Sequence, residues 1–415
     1  MEEERIWTKG FTTITISNAL FIIGAFMVLP TIPLYLAELG AAESLVGVVA
    51  TAYYVSSILT RFLINGVLAK TSKKRVLIAG LLCSTTAMAL YGVAGSPAVV
   101  ATLRVVQGIG LGSSSTIAAT FAVDYLPETR RGQGVGFYSM GIVGAMTIAP
   151  AIGLYVRSGF GFLAMFLTAA CTNLTAAIIV LFFIKEPQVA KAEEQEQTPQ
   201  ARQEQEQEQT PQTRRERERR KGKAKALQLS NFFDRRLIIP SALVLLFGIC
   251  RATDMNYIAL YAEEKAIEHL PWFFTIQTAT MFFIRLIVGR SVDRRGRNFV
   301  LIPGGFALIA SFAALSFANT SVLMLMGAFL GGLGFGVVAP NLQVWTISVV
   351  EPERRNVASA AYLSIMDIGA ATGAPLMGVV AEFFNFTVMF RVGAGVALLY
   401  TIGYIIFGRE KRTLR

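Results

Sequence analysis

Charge is what this 415-residue chain has least of: Asp, Glu, Lys and Arg together make up 16% of it. A water-soluble protein of that length would need many more polar side chains to cover its surface. Cysteine occurs three times, at Cys83, Cys171 and Cys250, each in an apolar stretch, so no disulfide framework is indicated. Histidine occurs once, at His269 beside Glu268, where it reads as a surface residue rather than a ligand or a catalytic base. No Gly-x4-Gly-Lys-Ser/Thr phosphate loop is present, so nothing marks the chain for hydrolysing ATP itself. No cluster has metal-ligand spacing and no nucleophile–base constellation is evident, so neither a metal, a cofactor nor an enzyme activity is expected.

What the chain does have is apolar length. Hydrophobic residues make up 53% of it, and the mean hydropathy is +0.53. Runs of about 20 apolar residues, enough to cross roughly 30 Å of hydrocarbon as helix, recur along the sequence. They are too long and too continuously apolar for barrel strands, which leaves an all-α polytopic membrane protein. Six spans are read in the first part: Phe11–Glu38, Ser44–Ala69, Val76–Gly95, Ala98–Val123, Gly134–Val156 and Phe160–Ile184. Six more follow: Leu237–Ala262, Pro271–Arg290, Phe299–Ala318, Val322–Val349, Val357–Ala381 and Phe386–Phe407. The organisation expected is a six-helix bundle over 1–184, a linker over 185–236, and a second six-helix bundle with a short tail over 237–415. The polar, acidic start from Met1 to Gly10 does not have the pattern of a cleavable signal peptide.

The net charge of +11 would suggest nucleic acid in a soluble chain, but here the basic residues fall between spans. They alternate: Lys70 to Arg75, Arg130 and Arg131, Arg290 to Arg297, Arg354 and Arg355, and Arg409 to Arg415. By the positive-inside bias, both termini and the linker are cytoplasmic, and the protein is a multi-pass component of the cell membrane. The linker repeats Gln195-Glu196-Gln197-Thr198-Pro199-Gln200 as Gln207 to Gln212 and then runs into mixed charge from Arg214 to Lys225. Such a segment cannot bury apolar surface, and a solvated tether is the reading adopted.

The two halves are related. At an offset of 224 residues, Arg61 meets Arg285, Gly80 meets Gly304, and Gly108, Gly110 and Gly112 meet Gly332, Gly334 and Gly336. Arg130-Arg131 meets Arg354-Arg355 and Tyr138 meets Tyr362, with no gap from the second span into the fifth. Repeated halves that enclose a midplane site are a transporter architecture.

The segment Gly289-Arg290-Ser291-Val292-Asp293-Arg294-Arg295-Gly296-Arg297 resembles the cytoplasmic signature of the major facilitator superfamily, at the place where that family carries its second copy. The resemblance implies twelve spans in two pseudo-symmetric bundles, a monomer, and a latch of Asp293, Arg294, Gly296 and Arg297. The first-half copy departs from it: Ala69 stands where the offset places Asp293, Ser72 stands for Gly296, and no acid occurs between Arg61 and Arg75. Arg104-Val105-Val106-Gln107-Gly108 is similar to an element of the family associated with proton transfer. Gly144, Pro150 and Gly153 resemble a degraded form of the fifth-span motif of its twelve-span drug–proton antiporters, although small residues and a proline also serve simple helix packing.

Ionisable residues inside spans cost about 2.5–3.5 kcal/mol each on insertion scales and so need a reason. Arg104, Arg251, Asp254 and Asp367 are such residues. Arg251 and Asp254, three apart, share a helix face and suit either a mutual structural pair or a cavity. Asp367 has no charged neighbour within a turn, so it needs a partner on another span, a substrate or a proton. Asp367, Asp254 and Arg104 are therefore the expected proton-coupling residues, with Arg104 acting through a nearby carboxylate. Arg251, Asn18, Phe26, Asn256, Tyr257, Gln277, Asn341 and Gln343 are the expected cavity residues. Arg61 and Arg285 lie near the cytoplasmic boundary of their spans and read as anchors or inter-helix hydrogen bonders. The expected activity is proton-coupled export of small amphipathic or zwitterionic solutes or drugs by alternating access. A proton-coupled importer, a dedicated metabolite or metallophore exporter, and a non-transporting sensor or scaffold remain alternatives.

Overall fold

The computed structural model describes residues 6–68, 71–185, 235–351 and 355–408. Most of the linker, and with it the tether reading, lies outside the described residues. Twelve α-helices follow in chain order: α1 Lys9–Val28, α2 Thr31–Glu38, α3 Glu43–Leu68, α4 Lys73–Tyr91, α5 Pro97–Asp124 and α6 Arg131–Phe183. After the linker come α7 Ile238–Glu264, α8 Leu270–Arg295, α9 Asn298–Ser316, α10 Ser321–Ser348, α11 Arg355–Phe383 and α12 Phe386–Phe407. Nine stretches carry an 18-residue window apolar enough to cross a membrane, with α1 and α2 counted together. The chain crosses twelve times because α4 and α5 also run the depth of the bundle and α6 supplies two crossings.

The turn inside α6 is at Gly161, whose φ of +83° favours a residue without Cβ. Its two arms run in opposite directions along α1. A Cβ on Gly153 in the first arm would meet the Met27 carbonyl oxygen at 2.5 Å, and Gly141 lies against Thr15, which makes that arm parallel to α1. In the second arm Asn173 lies against Gly24, and Ser17 donates to the Ala176 carbonyl at 3.0 Å, an antiparallel register. Pro30 and Pro150 sit where the apolar helices bend or break, since a proline removes a backbone donor.

The duplication read from the sequence recurs as geometry. A Cβ on Gly108 would strike the Tyr53 carbonyl and Ser56, and one on Gly332 would strike the Gln277 carbonyl and Thr280, the same contacts 224 residues on. Gly112 faces Ser57 and Thr60, as Gly336 faces Met281 and Ile284. Gly110 packs on the Gly80 carbonyl as Gly334 packs on that of Gly304. The glycines thus let α5 approach α3 and α4, and α10 approach α8 and α9, at backbone distance.

The helix ends alternate between a basic end, with Lys73, Lys74, Arg75, Arg130 and Arg131, and an opposite end with Glu38, Glu43, Glu263 and Glu382. The halves meet where α3 packs on α11 and the first arm of α6 packs on α8. Toward the opposite end these seams are tight. A Cβ on Gly47 would lie 2.5 Å from the Ala374 carbonyl oxygen, and one on Gly378 would lie 2.4 Å from that of Glu43. Thr51 donates to the Ala371 carbonyl at 2.6 Å, and Thr278 donates to that of Thr147 at 3.2 Å. The last acceptor is the mirror of the first, since 147 and 371 differ by 224. Ser44 N–H donates to Glu382 at 3.1 Å, and Arg157 pairs with Glu263 across the halves and stands 4.0 Å from Glu38.

Candidate functional site

Midway along the seam between α3 and α11, Arg61 Nη1 stands 2.6 Å from Asp367 Oδ2. These side chains come from different halves and lie 306 residues apart in sequence. They keep 28% and 19% of their surface accessible. With the opposite end sealed, that accessible surface faces a cleft between the halves. Asp367 therefore has a charged partner on another span, and that partner is Arg61, read from the sequence as an anchor or an inter-helix hydrogen bonder.

A second ionic group sits on α7 near its centre. Arg251 Nη1 is 2.9 Å from Asp254 Oδ2, and Gln277 of α8 donates to both carboxylate oxygens at 3.1 and 3.0 Å. Gln277 also accepts from Arg251 at 3.4 Å. Asp254 is 1% exposed and Arg251 21%, so the carboxylate lies beneath its partner and the guanidinium faces the cleft, stacked 5.0 Å from the Phe335 ring. Three groups close a ring of charge-assisted hydrogen bonds here, which satisfies an aspartate that would otherwise be costly to bury.

Arg104 is as enclosed as Asp254, at 1% exposure. It stacks 4.6 Å from the Tyr53 ring and donates to Gln107 at 2.9 Å, and Tyr91 donates to the same Gln107 oxygen at 2.8 Å. Its Nε and the Gln107 amide nitrogen make no hydrogen bond to protein. Tyr54, one residue from the Tyr53 lid, is within electrostatic reach of Arg104, Arg251 and Asp367 together, which draws the three ionic groups into one region. Neither tyrosine was singled out from the sequence, because aromatic residues in spans mostly pack or face lipid.

The remaining expected cavity residues scatter. Asn18 and Asn256 are buried, and Asn256 donates to the Ala252 carbonyl of its own helix at 2.8 Å. Asn341 likewise returns its amide to Val337 at 2.7 Å, and Gln343 is half-buried farther along α10. Phe26 is half-buried between the two large apolar clusters. Tyr257 is fully buried and donates to the Ala374 carbonyl at 2.5 Å, tying α7 to α11. An apolar groove of about 400 Å³ lined by Ile276, Thr280, Phe283, Ile287, Phe329 and Leu333 lies away from all of these charges.

The latch segment is only partly visible. Asp293 and Arg294 close α8, but their side chains lie outside the described residues. Gly296 takes φ +78°, a left-handed backbone that favours a residue without Cβ and turns the chain between α8 and α9. Arg297 stacks 4.9 Å from Trp345 and donates to the Gly408 carbonyl at 3.3 Å. Of the fifth-span motif, Gly153 is in close helix contact, Pro150 lies inside α6, and nothing stands within 4 Å of a Cβ on Gly144.

Comparison with known proteins agrees with this geometry. The chain is 22% identical over 373 residues to the staphylopine export protein of Staphylococcus aureus, covering 87% of this chain and 86% of that relative. It is 24% identical over 416 residues to the multidrug resistance protein MdtG of Klebsiella pneumoniae, covering 95% and 92%. The crystal structure of the nucleoside transporter NupG superimposes with a TM-score of 0.75 at 16% identity, over 97% of this chain and 99% of that one. The sequence profile of the Major Facilitator Superfamily matches residues 14–270 and 267–415. Twelve crossings, halves repeated in sequence and in contact, and a match along the whole chain make this a multi-pass membrane protein of the Major Facilitator Superfamily.

Proposed function

We propose that this protein is a proton-coupled exporter of small amphipathic or zwitterionic solutes, working by alternating access in the cell membrane with its basic end in the cytoplasm. The observation that carries the reading is the Arg61–Asp367 pair. It spans the two halves at mid-depth, so its making or breaking is felt by the seam about which the halves rock. A proton delivered to Asp367 neutralises the carboxylate and frees Arg61; loss of that proton restores the tie. Asp254 is the second carboxylate on the path, and Arg104 biases the potential around both. One proton crossing about 100 mV contributes roughly 2.3 kcal/mol, enough for about a fifty-fold solute gradient.

Export is favoured over import by the relatives whose names denote export and multidrug resistance. The unit is a monomer, the linker is a tether between halves, and Asp293 and Arg297 brace the basic end. The direct test uses a host stripped of its own efflux pumps, carrying wild type or Asp367→Asn. Accumulation of a fluorescent cationic dye and of a zwitterionic fluoroquinolone is followed with and without an uncoupler. Lower accumulation in wild type alone, abolished by the uncoupler, is expected. Asp367→Asn driving uphill export at normal coupling removes Asp367 from the proton path.

A further inference from the structure

The charges in the cleft region do not balance. Arg61 has Asp367, and Arg251 has Asp254, but Arg104 and Arg285 form no ion pair among the described residues. Arg285 is the more telling of the two. Its Nε donates to the Gly336 carbonyl at 3.1 Å, and its charge lies within electrostatic reach of Arg251, a second cation, and of the Tyr362 phenol. That phenol is already committed to the Ala339 carbonyl at 2.9 Å. The helix α8 continues to Arg295, ten residues or about 15 Å beyond Arg285 along its axis.

The internal repeat makes the imbalance specific. Arg285 is the copy of Arg61, on α8 where Arg61 is on α3. The position that mirrors Asp367 is Val143, on the first arm of α6, which packs on α8 as α11 packs on α3. One seam therefore carries an arginine with its carboxylate, and the other carries the same arginine opposite an aliphatic residue. Arg251 stacks on Phe335 and Arg285 bonds the carbonyl of the next residue, Gly336, so the two guanidinium groups reach neighbouring residues of α10, and of the two Arg251 alone holds Asp254. Only Arg251 thus has a carboxylate partner among the described residues, which leaves a net positive site on the C-terminal side of the cleft.

We infer that Arg285, together with Arg251, binds an anionic group of the transported solute, a carboxylate being the chemistry that fits a guanidinium fork. This deepens the transport reading above by naming the charge class of its substrate, and it rests on that reading for the word substrate only. A solute whose anion bridges Arg285 and Arg251 supplies the counter-charge that Val143 does not, and an amphipathic remainder lies against the half-buried Tyr54.

The test is equilibrium binding to purified full-length protein, independent of any gradient. Three probes of one shape are compared by thermal shift at matched ionic strength: benzoate, benzamide and benzylamine. A ligand that binds only the folded state raises Tm in proportion to its occupancy. Wild type is expected to rise saturably with benzoate alone, Arg285→Gln to weaken the apparent benzoate affinity at least tenfold, and Arg285→Lys to fall between them. Asp367→Asn is expected to keep the benzoate response even where it has lost transport, so failure of coupling and failure of this site read differently. If Arg285→Gln does not fold, phenylglyoxal labelling of Arg285 in wild type takes its place, with protection expected from benzoate and not from benzamide. The inference is overturned by no saturable benzoate response in wild type, by benzamide or benzylamine acting as well as benzoate, by an unchanged response in Arg285→Gln, or by equal labelling with either probe.

Discussion

Breaking the Arg61–Asp367 pair should shift the balance between the end-closed states by an amount the structure bounds. The pair joins the halves at 2.6 Å with 28% and 19% of its side chains exposed. Removing one partner of a fully buried pair costs about 3–5 kcal/mol, whereas an exposed pair is worth about 0–1 kcal/mol. A pair of this intermediate exposure should contribute about 1–2 kcal/mol to the state in which it forms, a factor of roughly 5 to 30 in the population ratio. Spin labels at Ala42 and Phe384 report on that ratio, because both are exposed and sit where the ends of α3 and α11 close on each other. The exposed native Cys171 is replaced first. Asp367→Asn and Arg61→Gln should each increase the long-distance population by that factor, and the double variant should do no more than either single. Exchange of the two residues, Arg61→Asp with Asp367→Arg, should recover part of the short-distance population. Unchanged distances in the single variants, or effects that simply add in the double, mean that the two residues do not hold this state together.

Two further outcomes follow from the same seam and from the linker. A Cβ on Gly378 would lie 2.4 Å from the Glu43 carbonyl oxygen and 2.6 Å from the Tyr257 hydroxyl, so Gly378→Ala should prevent closure of the opposite end. Its transport should drop at least tenfold with normal membrane expression, and the Ala42–Phe384 distance should lengthen; a short distance at full transport contradicts the close fit. Deleting 191–225 should leave transport within about twofold of wild type, because so Gln/Glu/Arg-rich a composition has little apolar surface to bury and, on the tether reading, no other task. Loss of transport with both halves still in the membrane assigns the linker a partner or a regulatory contact.

The repeat was legible in the sequence because close helix packing leaves a mark that a single residue type can carry. Only glycine lets α5 meet Tyr53 and α10 meet Gln277 at backbone distance, so the glycines recur at one offset. The spans were legible for the same reason, although their ends were not: α8 runs five residues past the expected Arg290, because a helix with charged residues continues into the aqueous phase beyond the apolar window. The join between the fifth and sixth crossings was also hidden, since Gly161 looks like any other small residue until its φ is known. The pairing within the site was only half visible. Arg251 with Asp254 is a local contact set by helical periodicity, and it appears at 2.9 Å. Arg61 with Asp367 depends on the docking of two halves 306 residues apart, which no local pattern encodes.

The repeated and unrepeated residues divide the work of the molecule. The two halves run the same way through the membrane, so the pseudo-two-fold axis lies along the membrane normal and exchanges one half, and one seam, for the other; identical halves would give two identical seams. The shared glycines and Arg61 with Arg285 supply the common frame, whereas Asp367 and Arg104 are matched by Val143 and Ala328 in the other copy. Apolar residues at the mirrored positions mean that the α3–α11 seam carries an ionic tie at mid-depth where, among the described residues, the α6–α8 seam carries none. The two seams close the same end here yet differ in what their movement costs: α3 on α11 makes or breaks an ion pair, while α6 on α8 moves an arginine that forms none among the described residues. On the transport reading proposed above, this inequality gives a proton at Asp367 a higher affinity for the state in which the pair is broken, and so a way to bias which state is populated.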